Sequence, residues 1–366
     1  MKAPFPWFGG KRRIASEVWA AFGDVDNYVE PFAGSLAVLL ERPERHRGIA
    51  TGAETVNDAD RYLANFWRAV SAAPEEVAKW ADWPVNESDL FARHLWLVNA
   101  GRERLEAIEA DPDFFDAKVA GWWVWGINAW IGSGWCAGTG PWTVKDGRPH
   151  LGSAGQGVNR QLPHLGNAGR GVNRKLPHLG DAGRGAPHSA GDMTDGGSGA
   201  EKATWDQSLW DRAGGEPLVY GYMRALRARL RRVRVCCGDW SRVLTNGAMS
   251  YGGKVGVLLD PPYSTDHRTD KLYATDDGDV SAAVRLWAIE HGDDRRLRIA
   301  LCGYDGEHTM PASWRVLAWK ATGAYKGSGG EDCDAEVNRH RERIWFSPGC
   351  LGANEAQPSL FGGAHG

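Results

Sequence analysis

The sequence predicts an α/β protein built on a doubly wound sheet that is interrupted by a helical, glycine-rich insertion. The first sign is "NYVEPFAGSLAVLL" (residues 27–40): a short apolar strand, a turn carrying Gly34 and a helical run, which together open a βαβ unit. The second is a set of five short aliphatic or β-branched runs after residue 230, "RVRVCCGD", "KVGVLLD", "LRIALCG", "WRVLAW" and "RERIWFS", with "DVSAAVRLWAIEHG" patterned as a helix between two of them. The third is the gap between these groups, which has no strand pattern and a different composition. Residues 1–70 and 216–348 therefore form the two halves of one sheet domain and residues 71–215 an insertion. The Gly/Ala-rich stretch 349–366 reads as a disordered tail.

Each element has its own signal. "RRIASEVWAAF" (12–22) has helical apolar spacing, and "AETVNDAD" (53–60) reads as a second strand ending in acids. A helix from Arg61 to Val70 follows, and the segment 74–131 is largely helical by pattern. Then comes a fourteen-residue repeat: "PHLGSAGQGVNRQL" from Pro149, "PHLGNAGRGVNRKL" from Pro163 and a decayed copy, "PHLGDAGRGAPHSA", from Pro177, together spanning 149–190. Its glycines and prolines exclude helix and central strand, leaving a solvated surface insertion or a backbone that presents Arg160, Arg170, Arg174, Lys175 and Arg184 to phosphates. In "LVYGYMRALRARLRRVRV", Leu218, Val219, Tyr222, Met223, Leu226 and Leu230 form one apolar helical stripe, with Arg224, Arg227, Arg231 and Arg232 off it.

Composition narrows the class. A hydrophobic content of 42% with 24% charged residues is that of a globular chain able to bury a core. No apolar run is long enough for a membrane span and the N-terminus has no apolar signal region, so a cytoplasmic protein without membrane contact is expected. The six cysteines lack the paired spacings of a zinc site; reduced, mostly buried thiols and no metal are expected. A net charge of −3 does not announce nucleic-acid binding, so such a reading has to come from motifs. The 19 tryptophans, concentrated between residues 67 and 142, suit core packing ahead of base stacking.

Two turns carry chemistry. Glu30-Pro31-Phe32-Ala33-Gly34-Ser35 supplies a glycine where the chain swings from strand to helix, but there is no G-x-G-x-x-G, which disfavours a nicotinamide or flavin site. The following strand ends at Asp58, either an acceptor for ribose hydroxyls or the N-cap of the next helix. Asp260-Pro261-Pro262-Tyr263 closes the run "VGVLL". Proline fixes φ and has no N–H, so the chain leaves the ladder as a stiff turn at the strand's C-terminal edge, where open α/β sheets bind ligands. The acid and the Pro261 carbonyl are adjacent acceptors suited to an amino group with two N–H donors, and the tyrosine ring suits the flat heterocycle bearing it.

With these residues in order, the sequence resembles the Dam-like, permuted (D12 class) DNA adenine-N6 methyltransferases of bacteria and phages. "PFPWFGGKRR" is similar to their W-x-G-G-K element, "YVEPFAGSLAVLL" to the F-x-G motif, "VNDADRYLANFWRAV" to the N-D-x-N-x-x-L-x-N segment, "CCGDW" to the element ending in D-F or D-W, and "LLDPPY" to the catalytic motif. "WWVWGINAWIGSGWCAGTGPWTV" faintly resembles the target-recognition stretch. The resemblance implies a Rossmann-like S-adenosylmethionine-dependent methyltransferase sheet acting on double-stranded DNA, with 71–215 as target-recognition region. It implies S-adenosyl-L-methionine as cofactor, with Trp7 and Lys11 helping to hold it, the turn Glu30, Pro31, Phe32, Ala33, Gly34 and Ser35 against its methionine part, Asp58 on its ribose, and Asp239 with Trp240 at its adenine. Asp260 and the Pro261 carbonyl, braced by Pro262, would hold the amino group of a flipped adenine with Tyr263 stacked on it.

N4-cytosine methylation uses the same geometry, usually with Ser before the two prolines, so Asp260 tilts the choice to adenine; a retired methyltransferase fold that only binds DNA is the alternative of a different class. In the tail, Gln357-Pro358-Ser359-Leu360-Phe361 resembles the Q-x-x-L-F peptide that docks on the bacterial sliding clamp, against an inert tail.

Overall fold

A computed structural model describes residues 1–7, 11–43, 53–111, 113–130, 135–136, 142–145, 148–151, 212–213, 216–249, 253–263, 278–319 and 342–352. Its centre is a seven-stranded sheet of β1 (Asn27–Glu30), β2 (Ala53–Asp58), β3 (Val233–Cys237), β4 (Val255–Leu259), β5 (Leu297–Tyr304), β6 (Arg315–Ala318) and β7 (Glu342–Phe346). The spatial order is β3-β2-β1-β4-β5-β7-β6; every neighbouring pair from β3 to β5 is parallel, while β7 runs antiparallel to both β5 and β6. This is a mostly parallel, Rossmann-like sheet. Its chain order reverses between β1 and β4, the topological switch point at which such sheets hold ligands.

All five residues of β4 and all eight of β5 are buried, as expected of parallel strands covered on both faces. Alternation still sorts them: Leu258, Ala300 and Cys302 join one core, Val257, Leu259, Ile299 and Leu301 the other. The first core also takes in Val77, Ala78, Ala81, Leu97, Val119, Ala120 and Trp123. The helices Pro74–Ala81 and Ala117–Ala129, expected from the sequence within an insertion, thus share the sheet domain's core, because their apolar faces close over the helices Arg61–Ala72 and Leu218–Leu230. Trp67, Trp123 and Trp125 are among the largest fully buried side chains, which assigns them to packing.

Local chemistry sets the helix starts. Asp60 accepts the Tyr62 N–H at 2.8 Å and caps Arg61–Ala72, Asn86 caps Glu87–Trp96, and Asp116 caps Ala117–Ala129 through the Val119 N–H. Asn65 and Asp116 exchange two hydrogen bonds, tying the third of these helix starts to the first helix. The Leu218–Leu230 stripe buries Val219, Met223, Leu226 and Leu230 and leaves Leu218 and Tyr222 half-buried. Beyond residue 348 the chain is still held, with the Leu351 N–H donating to the Ala21 carbonyl at 2.8 Å; this carries the folded part past the boundary read from composition, since the backbone there finds a partner on the first helix. Among the described residues no helix is long and apolar enough to cross a membrane. Residues 142–145 and 148–151 pair as an antiparallel hairpin that includes the first residues of the repeats; the rest of the repeats, with Arg160, Arg170, Arg174, Lys175 and Arg184, and the tail residues Gln357, Leu360 and Phe361, lie outside the described residues.

Candidate active site

The two strands flanking the switch point each end in one of the turns singled out from the sequence. After β1, Gly34 turns with φ +46°, a left-handed value that favours glycine, and Leu36 follows at φ 56°. A Cβ at Gly34 would stand 2.6 Å from Trp7 Nε1, so the backbone and the Trp7 indole meet there at a separation only glycine allows. Trp67 Nε1 donates to the Gly34 carbonyl at 3.2 Å, and the Gly34 N–H donates to Asp58 Oδ2 at 2.9 Å.

Asp58 joins the ends of β1 and β2. Its Oδ1 accepts the Asp60 N–H at 2.9 Å, while Asp60 itself supplies the helix cap, so of the two roles open to Asp58 the cap falls to its neighbour. Burial, reinforced by the Asp60 charge, pushes the Asp58 carboxyl up to about 7. Because the shift is upward, the folded state holds this proton more tightly than the unfolded chain: the site costs stability above pH 7, and the cost is relieved as pH falls from 7 toward about 4. The ribose role that the resemblance implies for Asp58 needs an acceptor, and under that role cofactor affinity is expected to fall about tenfold per pH unit below 7 and to rise to a plateau above it. Isothermal titration with S-adenosylmethionine between pH 5.5 and 8.5 checks this; the Asp58→Asn variant should bind weakly with no such slope.

Asn57, the first residue of the N-D-x-N-x-x-L-x-N segment, has a role that the sequence did not show. Fully buried, it donates from Nδ2 to the Pro31 carbonyl at 3.1 Å and to the Gly238 carbonyl at 2.9 Å, joining the β1 turn to the turn after β3. Its sequence signal was its place at the head of that motif, directly before Asp58. Gly238, at φ +128°, leads into Asp239, whose Oδ1 accepts the Ser241 N–H at 2.9 Å and starts the short helix Trp240–Val243. Asp239 is exposed, and half-buried Trp240 lies nearly parallel to half-buried Phe32, 26° apart with centroids at 6.3 Å. Two aromatic faces from the two turns thus stand side by side.

At the end of β4 the geometry is one of charge. Lys11 Nζ is buried and lies 3.0 Å from Asp260 Oδ1, 2.8 Å from the Tyr263 hydroxyl and 3.8 Å from Glu342 Oε2. The Tyr263 hydroxyl donates to Glu342 at 2.8 Å and stands 3.3 Å from Asp260. Burial opposes the charge on Lys11, yet Asp260 and Glu342 outweigh it and hold its pKa above the ordinary lysine value. Lys11, which the resemblance assigns to the cofactor, is engaged here by the acid of the acceptor motif. The Tyr263 ring is also buried, edge-on to Tyr304 at 4.6 Å, so in this conformation it packs inside the protein because its hydroxyl is satisfied there. Asp260 keeps partial exposure, with 23% of its side chain open to solvent. Glu30, buried beneath the two turns and bonded by the Tyr28 hydroxyl, is pushed well above the usual carboxylate range by burial, the Tyr28 bond pulling it back.

The residues present fit a nucleoside-bearing cation. Asn57 Oδ1 is a buried acceptor without a partner among the described residues, the Gly34 turn is pared to backbone, Asp58 offers a carboxylate, and Phe32 and Trp240 offer flat faces. Among the described residues no cluster of metal-ligating side chains occurs. Residues 7–95 match the family model for D12 class N6 adenine-specific DNA methyltransferases. The match takes in Trp7, Lys11, the 30–35 turn and Asp58 and ends before Asp239 and the 260–263 motif. It supports adenine-N6 methylation of DNA, with the S-adenosylmethionine use general to that family. No curated protein matches the chain.

Proposed function

We propose that this chain transfers the methyl group of S-adenosyl-L-methionine to N6 of an adenine at a specific site in double-stranded DNA, after rotating that base out of the helix. The observation that carries the reading is positional: the Gly34–Asp58 turn pair and the Asp260-Pro261-Pro262-Tyr263 turn end adjacent parallel strands at the switch point, which brings a donor crevice against an amine acceptor.

The bound cofactor supplies an electrophilic methyl on a sulfonium. The chain's residues do the rest. Asp58 accepts from the ribose, Asn57 and Trp67 hold the turns that shape the crevice, and Phe32 with Trp240 bounds the adenine side. Asp260 and the Pro261 carbonyl accept the two N–H bonds of the target amine. An aromatic amine is a poor nucleophile because its lone pair is delocalised into the ring; accepting both N–H bonds draws the nitrogen toward tetrahedral geometry and turns the lone pair toward the methyl group. Adenine N6 cannot be approached in line within a stacked duplex, so the base has to leave the stack at a cost of a few kcal/mol.

Incubation with labelled S-adenosylmethionine and duplex DNA, followed by nucleoside analysis, tests the reading. N6-methyladenine supports it, N4-methylcytosine moves it to the neighbouring chemistry, and cofactor binding without transfer to any DNA favours a retired fold. Target choice is proposed to reside in the 71–215 region. The tail peptide Gln357-Pro358-Ser359-Leu360-Phe361 supports a tether to the sliding clamp. Leu360→Ala with Phe361→Ala is expected to abolish clamp binding in a pull-down and leave methyl transfer unchanged; undiminished clamp binding removes the tether.

A further inference from the structure

Glu342 begins β7, the antiparallel strand set between β5 and β6, and comes 82 positions after Asp260 in the chain. Its side chain is buried, its Oε2 accepts the Tyr263 hydroxyl at 2.8 Å, and the same oxygen stands 3.8 Å from Lys11 Nζ. One buried ammonium therefore faces two carboxylates, Asp260 at 3.0 Å and Glu342 at 3.8 Å. We propose that Glu342 is a positioning residue of the methyl-transfer centre: it shares the charge of Lys11 and takes the Tyr263 hydroxyl, so that Asp260 stays an effective acceptor for the amine that is methylated. The inference rests on the reading of Asp260 as the group that receives that amine.

Charge balance is the reason. With a single carboxylate present, Lys11 and Asp260 would form a one-to-one buried pair, and the Tyr263 hydroxyl would have only Asp260 to donate to among these acids. Both effects would occupy the lone pairs that the amine N–H groups need. With Glu342 ionised, the described cluster sets two carboxylates, Asp260 and Glu342, against the Lys11 ammonium, and the hydroxyl donates along the shorter path, 2.8 Å to Glu342 against 3.3 Å to Asp260. The amine then meets an acid that retains net negative charge, which is the property that stabilises positive charge growing on N6 during transfer. Among the described residues the titratable groups facing Glu342 are Lys11, Asp260, Tyr263, the buried Cys302 thiol of β5 and Glu307; burial lifts the Glu342 carboxyl above the ordinary range and Lys11 draws it back. Protonating Glu342 should have the same consequence as removing its charge.

The test is steady-state methyl transfer to duplex DNA by the full chain as wild type, E342Q and E342D, followed across pH, with cofactor affinity and thermal unfolding measured on each. For E342Q we expect kcat to fall about tenfold, the scale of one charge-assisted hydrogen bond, while cofactor KM and the unfolding midpoint stay near wild type. The wild-type acid limb due to Glu342 should be missing from E342Q, and E342D, which keeps the charge on a shorter arm, should recover the limb and part of kcat. Wild-type kcat and pH profile in E342Q overturn the proposal. So does an E342D as impaired as E342Q, or loss of fold in both, either of which makes Glu342 a packing residue. Wild-type protein that binds cofactor and methylates no DNA is a different result: it overturns the function itself, and this inference with it.

Discussion

Replacing Asp260 by asparagine is expected to lower methyl transfer by a factor of about 10³, the scale seen when a preorganised group that stabilises transition-state charge is removed. Asparagine keeps an acceptor oxygen and the side-chain volume but loses the negative charge facing the amine and puts an NH₂ group beside it. Cofactor binding should survive, since the Gly34 and Asp58 crevice is built by other residues. Nucleoside analysis and isothermal titration on the same preparation separate the two effects; near-normal transfer would sink the acceptor role. Asparagine is preferred over alanine because Lys11 Nζ is buried 3.0 Å from Asp260. Both variants remove this carboxylate and leave the ammonium, among the described residues, with Glu342 at 3.8 Å, but asparagine keeps an oxygen that can accept from Nζ, whereas alanine removes the acceptor as well, at a further cost of about 1–3 kcal/mol that would confuse lost chemistry with lost fold.

Gly34→Ala is expected to have the next largest effect, this time on the cofactor side. At φ +46° an L side chain costs about 1–2 kcal/mol, and the new Cβ would lie 2.6 Å from Trp7 Nε1, so the indole must be displaced. That indole is packed edge-on to Phe5 at 5.9 Å, which hinders its retreat. Movement of the turn also loosens its bonds to Asp58 and Trp67. Cofactor affinity should fall at least about tenfold, with a lower unfolding midpoint, each kcal/mol here being worth a factor of about five. A double-mutant cycle with Trp7→Ala resolves the causes: the overlap term vanishes in that background and the φ term stays. Equal losses in both backgrounds would show that the Trp7 contact contributes nothing.

Much of the site was legible because its signals are local. Asp260-Pro261-Pro262-Tyr263 announces a strand end through two residues that cannot continue a ladder, and Gly34 announces a turn through the residue that takes a left-handed φ without a Cβ penalty. Asp58 was legible as an acid at a strand end, but which acid caps the next helix was not: that part falls to Asp60, two residues on, whose carboxylate reaches the Tyr62 N–H. The roles of Asn57 and Glu342 were not legible for a common reason. Each acts through partners far away in sequence, Asn57 on Pro31 and Gly238, Glu342 on Tyr263 and Lys11, and no short pattern records such pairings.

By itself the sequence determined the sheet's strands and the two strand-end turns, since strand alternation, proline, glycine and acid placement act within a few residues. Tertiary structure alone decided that the helices of 74–129 share the sheet's core, that Lys11 lies on Asp260, and that Tyr263 is held inside by Glu342. Those outcomes depend on which apolar faces find each other and on where buried charges find partners. Burying an ammonium is costly enough that it settles among whichever carboxylates the folded chain brings near it, here one from the end of β4 and one from the start of β7.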